Sequence, residues 1–490
     1  MTISKMAAGR WSEGQRESIY RRLPISLQTV ALNWEAWRKN RLRFDSVAFR
    51  ERTMVFRRLA RASTDEIERW QLAALRSLVG HAQHSVPWYR NRFVEARVDP
   101  HNIRTLDDFR QLPIVKRDEL REHNAEFVAP SEWKNHVRTA TTSGTTGSPL
   151  KLHWDRESEW WNTAAYGFHR SWFSYERGDR YASITGRQVV PLSQKRPPYW
   201  RTNFTSKQLL LSSYHLSEET IPRYIEALRR FRPTTLEAYP STAWLLARFL
   251  TDKKETLPLK AVHLSAEPLL RFQREVIEEA FACHVFDYYG CSERVLAAGE
   301  CSAHDGLHIF APFGMTEILD ENDRPCPPGV HGRLVLTGFH NRLMPLIRYD
   351  IGDTSAFVEG QCPCGCPWPK INAVTTKAED IIVTPDGRML SPSTLHYPFM
   401  SVNSVATSQI IQEAVGQVRV KIVRRPNFGP RDSSIIRAGL QDRLGKDCHL
   451  EFEFVDEIPR EGRGKFRWVI SKVPLKLGHG SMDNLYTGSS

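Results

Sequence analysis

Residues 139–151 read Thr-Ala-Thr-Thr-Ser-Gly-Thr-Thr-Gly-Ser-Pro-Leu-Lys. Four hydroxyl side chains (Thr142, Ser143, Thr145, Thr146) surround Gly144 and Gly147, and Lys151 comes close behind. Glycine lets the backbone take conformations that a Cβ forbids and lets it approach a ligand. The N–H and hydroxyl donors of such a segment suit an anion, a phosphate above all. The spacing is not the G-x-x-x-x-G-K-[ST] of the common nucleotide loop. Taken alone, the segment reads first as an exposed Ser/Thr/Gly turn.

Five further motifs downstream reverse that reading. In order come Ser265-Ala266-Glu267-Pro268, Tyr289-Gly290-Cys291-Ser292-Glu293, Arg348-Tyr349-Asp350-Ile351-Gly352-Asp353, Glu379-Asp380 and Pro459-Arg460-Glu461-Gly462-Arg463-Gly464-Lys465. A lone Glu after a Tyr-Gly turn is usually a surface carboxylate, and a lone Asp after glycine an ordinary turn residue. Here each belongs to an ordered series. Gly462 and Gly464 would give Lys465 a loop able to reach into a cleft. A second cluster offers metal-ligand chemistry: Cys362-Pro-Cys364-Gly-Cys366 in a turn-rich stretch, and Cys301 ahead of His304 and His308. Thiolates and imidazole are the usual tetrahedral ligands of zinc. The expected set is Cys301, His308, Cys362 and Cys364, with His304 and Cys366 as alternates and a metal-free group of thiols as the other reading. No base partner stands near Cys291 in the sequence, so no nucleophilic role is assigned to it.

The ordered motifs resemble the adenylate-forming acyl-CoA ligase superfamily. Within it they are most similar to the phenylacetate–CoA ligase branch and its capsular-polysaccharide biosynthesis relatives. His81-Ala82-Gln83-His84-Ser85-Val86-Pro87-Trp88-Tyr89-Arg90, Leu112-Pro113-Ile114-Val115-Lys116 and Met344-Pro345-Leu346-Ile347-Arg348-Tyr349 carry the likeness further. It spans roughly residues 70–475. The resemblance implies ATP-dependent activation of a carboxylic acid to an acyl-adenylate with release of pyrophosphate, then transfer to a thiol, with coenzyme A the expected one. It leaves open an amine or hydroxyl acceptor in surface-polysaccharide or secondary-metabolite biosynthesis. Such chemistry asks for charge neutralisation and in-line positioning around phosphates. By resemblance, Thr142, Ser143, Gly144, Thr145, Thr146, Gly147 and Lys151 hold the ATP phosphates, with Thr146 counted among the catalytic residues. Glu293 binds Mg²⁺, a hard cation that prefers oxygen ligands. Asp353 accepts from the ribose hydroxyls; Ala266, Glu267, Tyr288, Tyr289, Gly290, Cys291 and Ser292 line the adenine pocket. Lys465 neutralises charge in the transition state. The family's Gly-Arg pair before its acidic hinge is Thr376-Lys377 here. Lys377 keeps the charge but not the bidentate fork, which bears on the second half-reaction. Relatives with Cys…His and Cys-x-Cys pairs at these places support the zinc reading.

Positioning these residues requires an α/β body with mostly parallel sheets. Strand-like Thr234–Tyr239, Ala261–Leu264 and Val285–Tyr289 alternate with helical 241–251 and 268–281. In such folds ligands lie at the carboxyl ends of strands. Val137–Thr141 and Leu150–His153 read as strands flanking the hydroxyl loop. Residues 65–97 and a stretch after Pro113 read as helical, with Pro87 ending or kinking the first. Gly332–Leu336 and Leu346–Tyr349 read as strands. The texture changes after Asp380: Ile381–Val383, Gln417–Val423 and His449–Val455 read as strands and 432–444 as a helix. The expected organisation is a basic N-terminal extension (1–64), a large adenylate-forming (AMP-binding) domain (65–376), a small mobile α+β C-terminal lid (377–478) and a disordered tail (479–490).

The 490 residues are 41% hydrophobic and 25% charged, an ordinary globular composition. No run of 18 apolar residues appears and the N-terminus lacks the apolar core of a secretory signal. None of the eight cysteines precedes residue 283, so a disulfide framework is not indicated and a cytoplasmic setting is expected. Of the net charge of +12, the first 60 residues carry 13 basic against 5 acidic side chains. There Trp34, Trp37, Leu42, Phe44 and Phe49 interleave with Arg38, Lys39, Arg41, Arg43, Arg50 and Arg52. Two readings stand: peripheral contact with an acidic membrane surface, or a solvated helix packed through its aromatics. Nothing reads nucleic-acid bases. The expected partners are a small carboxylic acid and a nucleotide, and an oligomer is left open. Ser183–Ser213 and Tyr239, rich in aromatic and basic residues (Arg187, Lys195, Arg196, Tyr199, Trp200, Arg201), read either as an acid pocket or as surface loops.

Overall fold

The computed structural model describes Tyr20 and residues 23–43, 46–97, 99, 102–141, 150–374, 381–390, 392–395, 397–399, 402, 404–458 and 468–473. The chain enters through helices α1 (Ile25–Arg43), α2 (Val47–Leu59), α3 (Thr64–Ser85) and α4 (Pro87–Glu95). Ser63 caps α3 by accepting from Glu66 N at 3.2 Å. Pro87 ends that helix and takes the first position of the next, where its missing N–H costs nothing. α2 is part of the main body. Phe56 is fully buried, with its ring 5.7 Å from Trp161, 5.6 Å from Phe168 and 6.0 Å from Phe310. A division at residue 64 therefore does not separate independent packing units.

Helix α5 (Arg117–Glu122) leads to the antiparallel hairpin β1 (His136–Thr141) and β2 (Lys151–Asp155), in which Thr141 faces Lys151. Helix α6 (Arg156–Ser171) comes directly after it. Asp155 caps it by accepting from Ser158 N at 2.8 Å, and its other oxygen accepts from the N–H groups of Arg342 (2.8 Å) and Leu343 (3.3 Å).

The large sheet contains β3 (Tyr181–Thr185), β4 (Trp200–Asn203), β5 (Gln208–Ser212), β6 (Thr235–Ala238), β7 (Ala261–Ser265), β8 (His284–Gly290), β9 (Ala297–Glu300) and β10 (Leu307–Ile309). Its centre, β5-β3-β6-β7-β8, is parallel. Helices α7 (Ile221–Phe231), α8 (Pro240–Asp252) and α9 (Arg271–Phe281) make the crossovers. Buried on both faces, these strands are near-continuous apolar runs such as Ala261-Val262-His263-Leu264. Antiparallel strands extend both edges: β4 on one, β9 and β10 on the other. A separate antiparallel sheet joins β11 (Gly314–Leu319), β12 (Gly332–Gly338) and β13 (Tyr349–Ser355). The strand expected over Leu346–Tyr349 starts only at Tyr349, because Arg348 has φ +48°, which breaks an extended run. Strands β14 (Phe357–Val358) and β15 (Lys370–Ile371) return to pair beside β10.

The C-terminal unit contains the short hairpin β16 (Ile382–Val383) and β17 (Met389–Leu390) and the long hairpin β18 (Val405–Ala414) and β19 (Gln417–Arg424). Helix α10 (Pro430–Leu444), β20 (His449–Val455) and β21 (Val469–Ser471) complete it, with β20 and β21 parallel to their neighbours. It touches the large body where Arg388 donates to Tyr214 O at 3.0 Å. The expected boundary at 376–380 lies outside the described residues.

Candidate functional site

Thr142, Ser143, Gly144, Thr145, Thr146 and Gly147 lie outside the described residues, as do Lys377, Glu379, Asp380 and Lys465. Their neighbours are placed. Pairing of Thr141 with Lys151 brings the two ends of the hydroxyl loop together at one end of the hairpin. The side after the loop is locked to the Glu293 turn. The Arg294 guanidinium stacks 4.1 Å from the Trp154 ring and forms a buried ion pair with Glu159 at 2.7 Å. Arg294 has φ +57°, and a Cβ on Gly338 would meet its carbonyl at 2.8 Å, so the turn is held tightly from two sides.

Glu293 is 6% exposed, and its carboxylate lies 3.5 Å from the Arg117 guanidinium at the start of α5. On the same side, the Tyr289 hydroxyl donates to Asp353 Oδ2 at 2.7 Å, tying the end of β8 to β13. Burial, and then Asp353, push the Tyr289 phenol far above its ordinary range, so it stays a donor. Burial weighs against the charge on Arg117, but Tyr349, Glu293 and Asp353 outweigh it and hold its pKa above the usual value. The arrangement is one half-buried cation against the Glu293 carboxylate, with the Asp353 charge close enough to act on it. Glu293 and Asp353 both act on Arg117 and Tyr289 here, and Arg117 was not among the residues singled out from the sequence. The only signal for it was its place immediately after the Leu-Pro-Ile-Val-Lys phrase.

Ala266, Glu267 and residues 288–292 sit at the carboxyl ends of the parallel strands β7 and β8. Ala266, after β7, has φ +71°, a conformation rare for a residue with a Cβ and characteristic of sites that must present backbone. Glu267 accepts from Ser241 N at 3.2 Å, binding the loop after β7 to the start of α8. Tyr288 is buried, while Gly290 and Ser292 are exposed. Burial, and then Glu293, raise the Cys291 thiol to about 12, which leaves it protonated and a poor nucleophile. Lys151 is exposed on β2. Arg201, one of the residues read as pocket or surface loop, is 2% exposed and spends its donors on Gln28 Oε1 (3.1 Å) and the carbonyls of Pro198 (3.0 Å) and Trp200 (2.8 Å). It anchors α1 rather than facing a ligand.

The cysteine and histidine residues form a second centre. Cys301, His308, Cys362 and Cys364 bring one ligand atom each within 4.8 Å of one another. Cys301 Sγ is 3.5 Å from Cys362 Sγ, and Cys364 Sγ is 3.3 Å from His308 Nε2. His308 Nδ1 lies 3.1 Å from Trp368 O, which makes Nδ1 the donor and frees Nε2 to ligate. The N–H groups of Ala303 and Cys366 point at Cys301 Sγ and Cys364 Sγ, both at 3.4 Å. Burial raises the thiols of Cys301 and Cys364 and keeps them protonated, and a bound cation would displace those protons. A soft divalent cation fits this donor set. The alternates are elsewhere: Cys366 packs in the aromatic cluster, and His304 lies against His284, Phe286 and Glu300.

A buried polar group behind the sheet had no sequence signal. Arg170 of α6 pairs with Glu237 of β6, while His169 Nδ1 lies 3.1 Å from His263 Nε2 of β7. Burial keeps His169 neutral, with its pKa near 4.

Residues 382–472 match the family described as the CapK C-terminal domain. Protein CapK of Staphylococcus aureus is 27% identical over 379 residues, covering 75% of this chain and 81% of that protein. Phenylacetate-coenzyme A ligase of Thermus thermophilus is 26% identical over 350 residues, covering 65% of this chain and 72% of its own length. The namesake enzyme of Escherichia coli is 26% identical over 335 residues, covering 66% and 74%. Among solved structures, the fold matches 2-hydroxyisobutyryl-CoA ligase in its postadenylation state (TM-score 0.53, 20% identity, 84% of this chain and 90% of that one).

Proposed function

We propose that this chain, a homologue of CapK and of the phenylacetate-coenzyme A ligases, activates a carboxylic acid with ATP. A carboxylate oxygen attacks the α-phosphorus, the bond to the bridging oxygen of pyrophosphate breaks, and an acyl-adenylate forms. A thiolate, that of coenzyme A in the first reading, then attacks the acyl carbon and AMP leaves. The observation that carries this is the gathering of Asp353, Tyr289 and Arg117 around the Glu293 turn, which Arg294 locks to the hairpin and helix after the hydroxyl loop. In this reading Thr142–Gly147 and Lys151 receive the phosphates, and Glu293 holds Mg²⁺, which screens phosphate charge. Asp353 takes the ribose hydroxyls. Ala266, Glu267 and Tyr288–Ser292 receive the adenine. Lys465 neutralises the charge that develops between carboxylate and α-phosphate, and Lys377 sits at the hinge.

A second reading concerns the later step alone, transfer to an amine or hydroxyl: Thr376-Lys377 stands where the family's Gly-Arg pair precedes the hinge, and the loss of the bidentate fork bears on thiol transfer. Pyrophosphate exchange dependent on ATP and an acid, measured over a panel of acids, tests the shared first step. Thioester formation on adding coenzyme A separates the two acceptors. Lys465→Ala should abolish exchange while ATP binding persists; undiminished exchange in that variant would remove the assigned role.

A structural zinc is part of the same proposal, held by Cys301, His308, Cys362 and Cys364. Its support is the preorganised donor set, with the imidazole tautomer fixed by Trp368 O. The group would clamp the β9–β10 connection to the 362–368 loop and take no part in the reaction. No helix among the described residues is long and apolar enough to cross a membrane.

A further inference from the structure

Helix α1 is turned the wrong way for an ordinary surface helix. Its inward side is largely polar. Gln28 accepts from the buried Arg201 (3.1 Å from Nε), Asn33 donates to Thr202 O (2.8 Å) and accepts from Phe204 N (2.6 Å), and Asn40 donates to Ser206 Oγ (2.7 Å). Leu32, 6% exposed, adds an apolar contact beside Val189, Val190 and Leu210. The outward side carries Leu27, Val30, Trp34 and Trp37, spaced so that they form one stripe along the helix, at 38%, 52%, 48% and 42% exposure. Trp34 and Trp37 stack at 5.3 Å, and Arg41 lies 5.2 Å over Trp37. Phe204, 70% exposed, sits where β4 turns into β5, hydrogen-bonded to the same helix. Specific hydrogen bonds to edge strand β4 and its turn thus fix a helix whose apolar stripe faces out.

An outward stripe of this kind needs a covering phase, and the charge beside it says which. Arg38 and Arg41 flank the tryptophan pair, and Glu35 pairs with Arg38 at 3.0 Å and with Lys39 at 3.1 Å. We propose that α1 docks this protein on the surface of a membrane rich in anionic lipid. Leu27, Val30, Trp34, Trp37 and Phe204 enter the headgroup–acyl boundary, and Arg38 and Arg41 meet lipid phosphates. Tryptophan suits that boundary because its ring is apolar and its N–H remains hydrated. Basic side chains add attraction that falls with salt. The helix lies on the membrane and does not span it. This docking is independent of the adenylation chemistry.

The test is flotation of the full chain with vesicles of phosphatidylcholine alone or of phosphatidylcholine with phosphatidylglycerol. Recruitment is expected only with phosphatidylglycerol, and it should weaken as salt rises. Trp34→Ala with Trp37→Ala should reduce binding on the order of tenfold. Arg38→Gln and Arg41→Gln should each reduce it about fivefold. ATP–pyrophosphate exchange and circular dichroism should remain unchanged in all of these. Should the tryptophan variant prove unstable, quenching of wild-type tryptophan fluorescence by brominated acyl chains reads the same insertion. The proposal is overturned by absent flotation, by equal flotation on both vesicles, or by undiminished flotation of the tryptophan variant. It also falls if the tryptophan variant halves the particle mass in free solution, which would identify a second copy as the covering surface.

Discussion

Removing one thiol from the Cys/His centre gives the sharpest test of the zinc assignment, through Cys362→Ser. With Zn–S about 2.3 Å and Zn–N about 2.0 Å, tetrahedral ligation places two sulfurs about 3.8 Å apart and a sulfur and nitrogen about 3.5 Å apart. The structure has 3.5 Å between Cys301 and Cys362 sulfurs and 3.3 Å between Cys364 Sγ and His308 Nε2, with no pair beyond 4.8 Å. Modest side-chain adjustments therefore close the site. Because the site is already assembled by the fold, the metal adds stability by mass action rather than by organising an unfolded chain. At free zinc roughly 100- to 1,000-fold above its dissociation constant, that is about 3–4 kcal/mol. The wild-type chain should carry about one zinc by elemental analysis. Chelation should lower its unfolding free energy by about 3–4 kcal/mol in denaturant titrations. Cys362→Ser should hold less than stoichiometric zinc and lose most of its response to chelator. Metal-free wild-type protein prepared without chelator, or a chelator effect equally large in the variant, would refute the reasoning.

Glu293→Gln keeps the shape but not the charge, so it should lower the rate of pyrophosphate exchange by about 100-fold or more and raise the magnesium needed for half-maximal activity. Kinetics over a magnesium series check both. Arg117→Ala leaves the Glu293 carboxylate buried and unpaired, which should cost about 3 kcal/mol or more of stability in the metal-free protein, with partial recovery on adding Mg·ATP in thermal unfolding. Gly299→Ala should destabilise by several kcal/mol, because a Cβ there would come within 2.5 Å of the His169 ring. A denaturant midpoint indistinguishable from wild type would show that His169 can move. Burial, and then Glu300, raise Asp287 to about 7 in the folded chain, above its unfolded value of 3.8. Its contribution to stability is then full below pH 3.8 and is lost as the pH rises through about 7. Asp287→Asn should remove that loss, on the order of 4 kcal/mol at most, and gain stability relative to wild type between about pH 5 and pH 8.

What the sequence disclosed and what it withheld divide along a physical line. Where one local signal sets an outcome, the reading and the structure coincide. Proline at position 87 ended a helix, the apolar run Ala261-Val262-His263-Leu264 became a buried parallel strand, and Gln417–Arg424 alternates as a half-buried one. Cys301, His308, Cys362 and Cys364 meet because two turns adjoin neighbouring antiparallel strands, a juxtaposition their spacing allowed but did not require. Failures arise where a partner distant in sequence overrides local preference. Leu346-Ile347-Arg348 has strand composition, yet the Arg348 guanidinium is drawn into a buried pair with Glu317 at 2.9 Å and also donates to Leu112 O. The backbone turns to φ +48° there, and the strand begins only at Tyr349, later than its composition suggests. Arg201 likewise reads as a basic residue for an acidic ligand, but Gln28, 173 positions earlier, claims it. Arg117 shows the reverse: nothing in Val-Lys-Arg-Asp marks it, and only the approach of Glu293 across 176 positions gives it a role. The same rule explains α1. Composition reveals a basic aromatic helix without saying which face turns inward. Asn33 and Asn40 decide that, by bonding to Thr202 and Ser206, and so leave Trp34 and Trp37 outside.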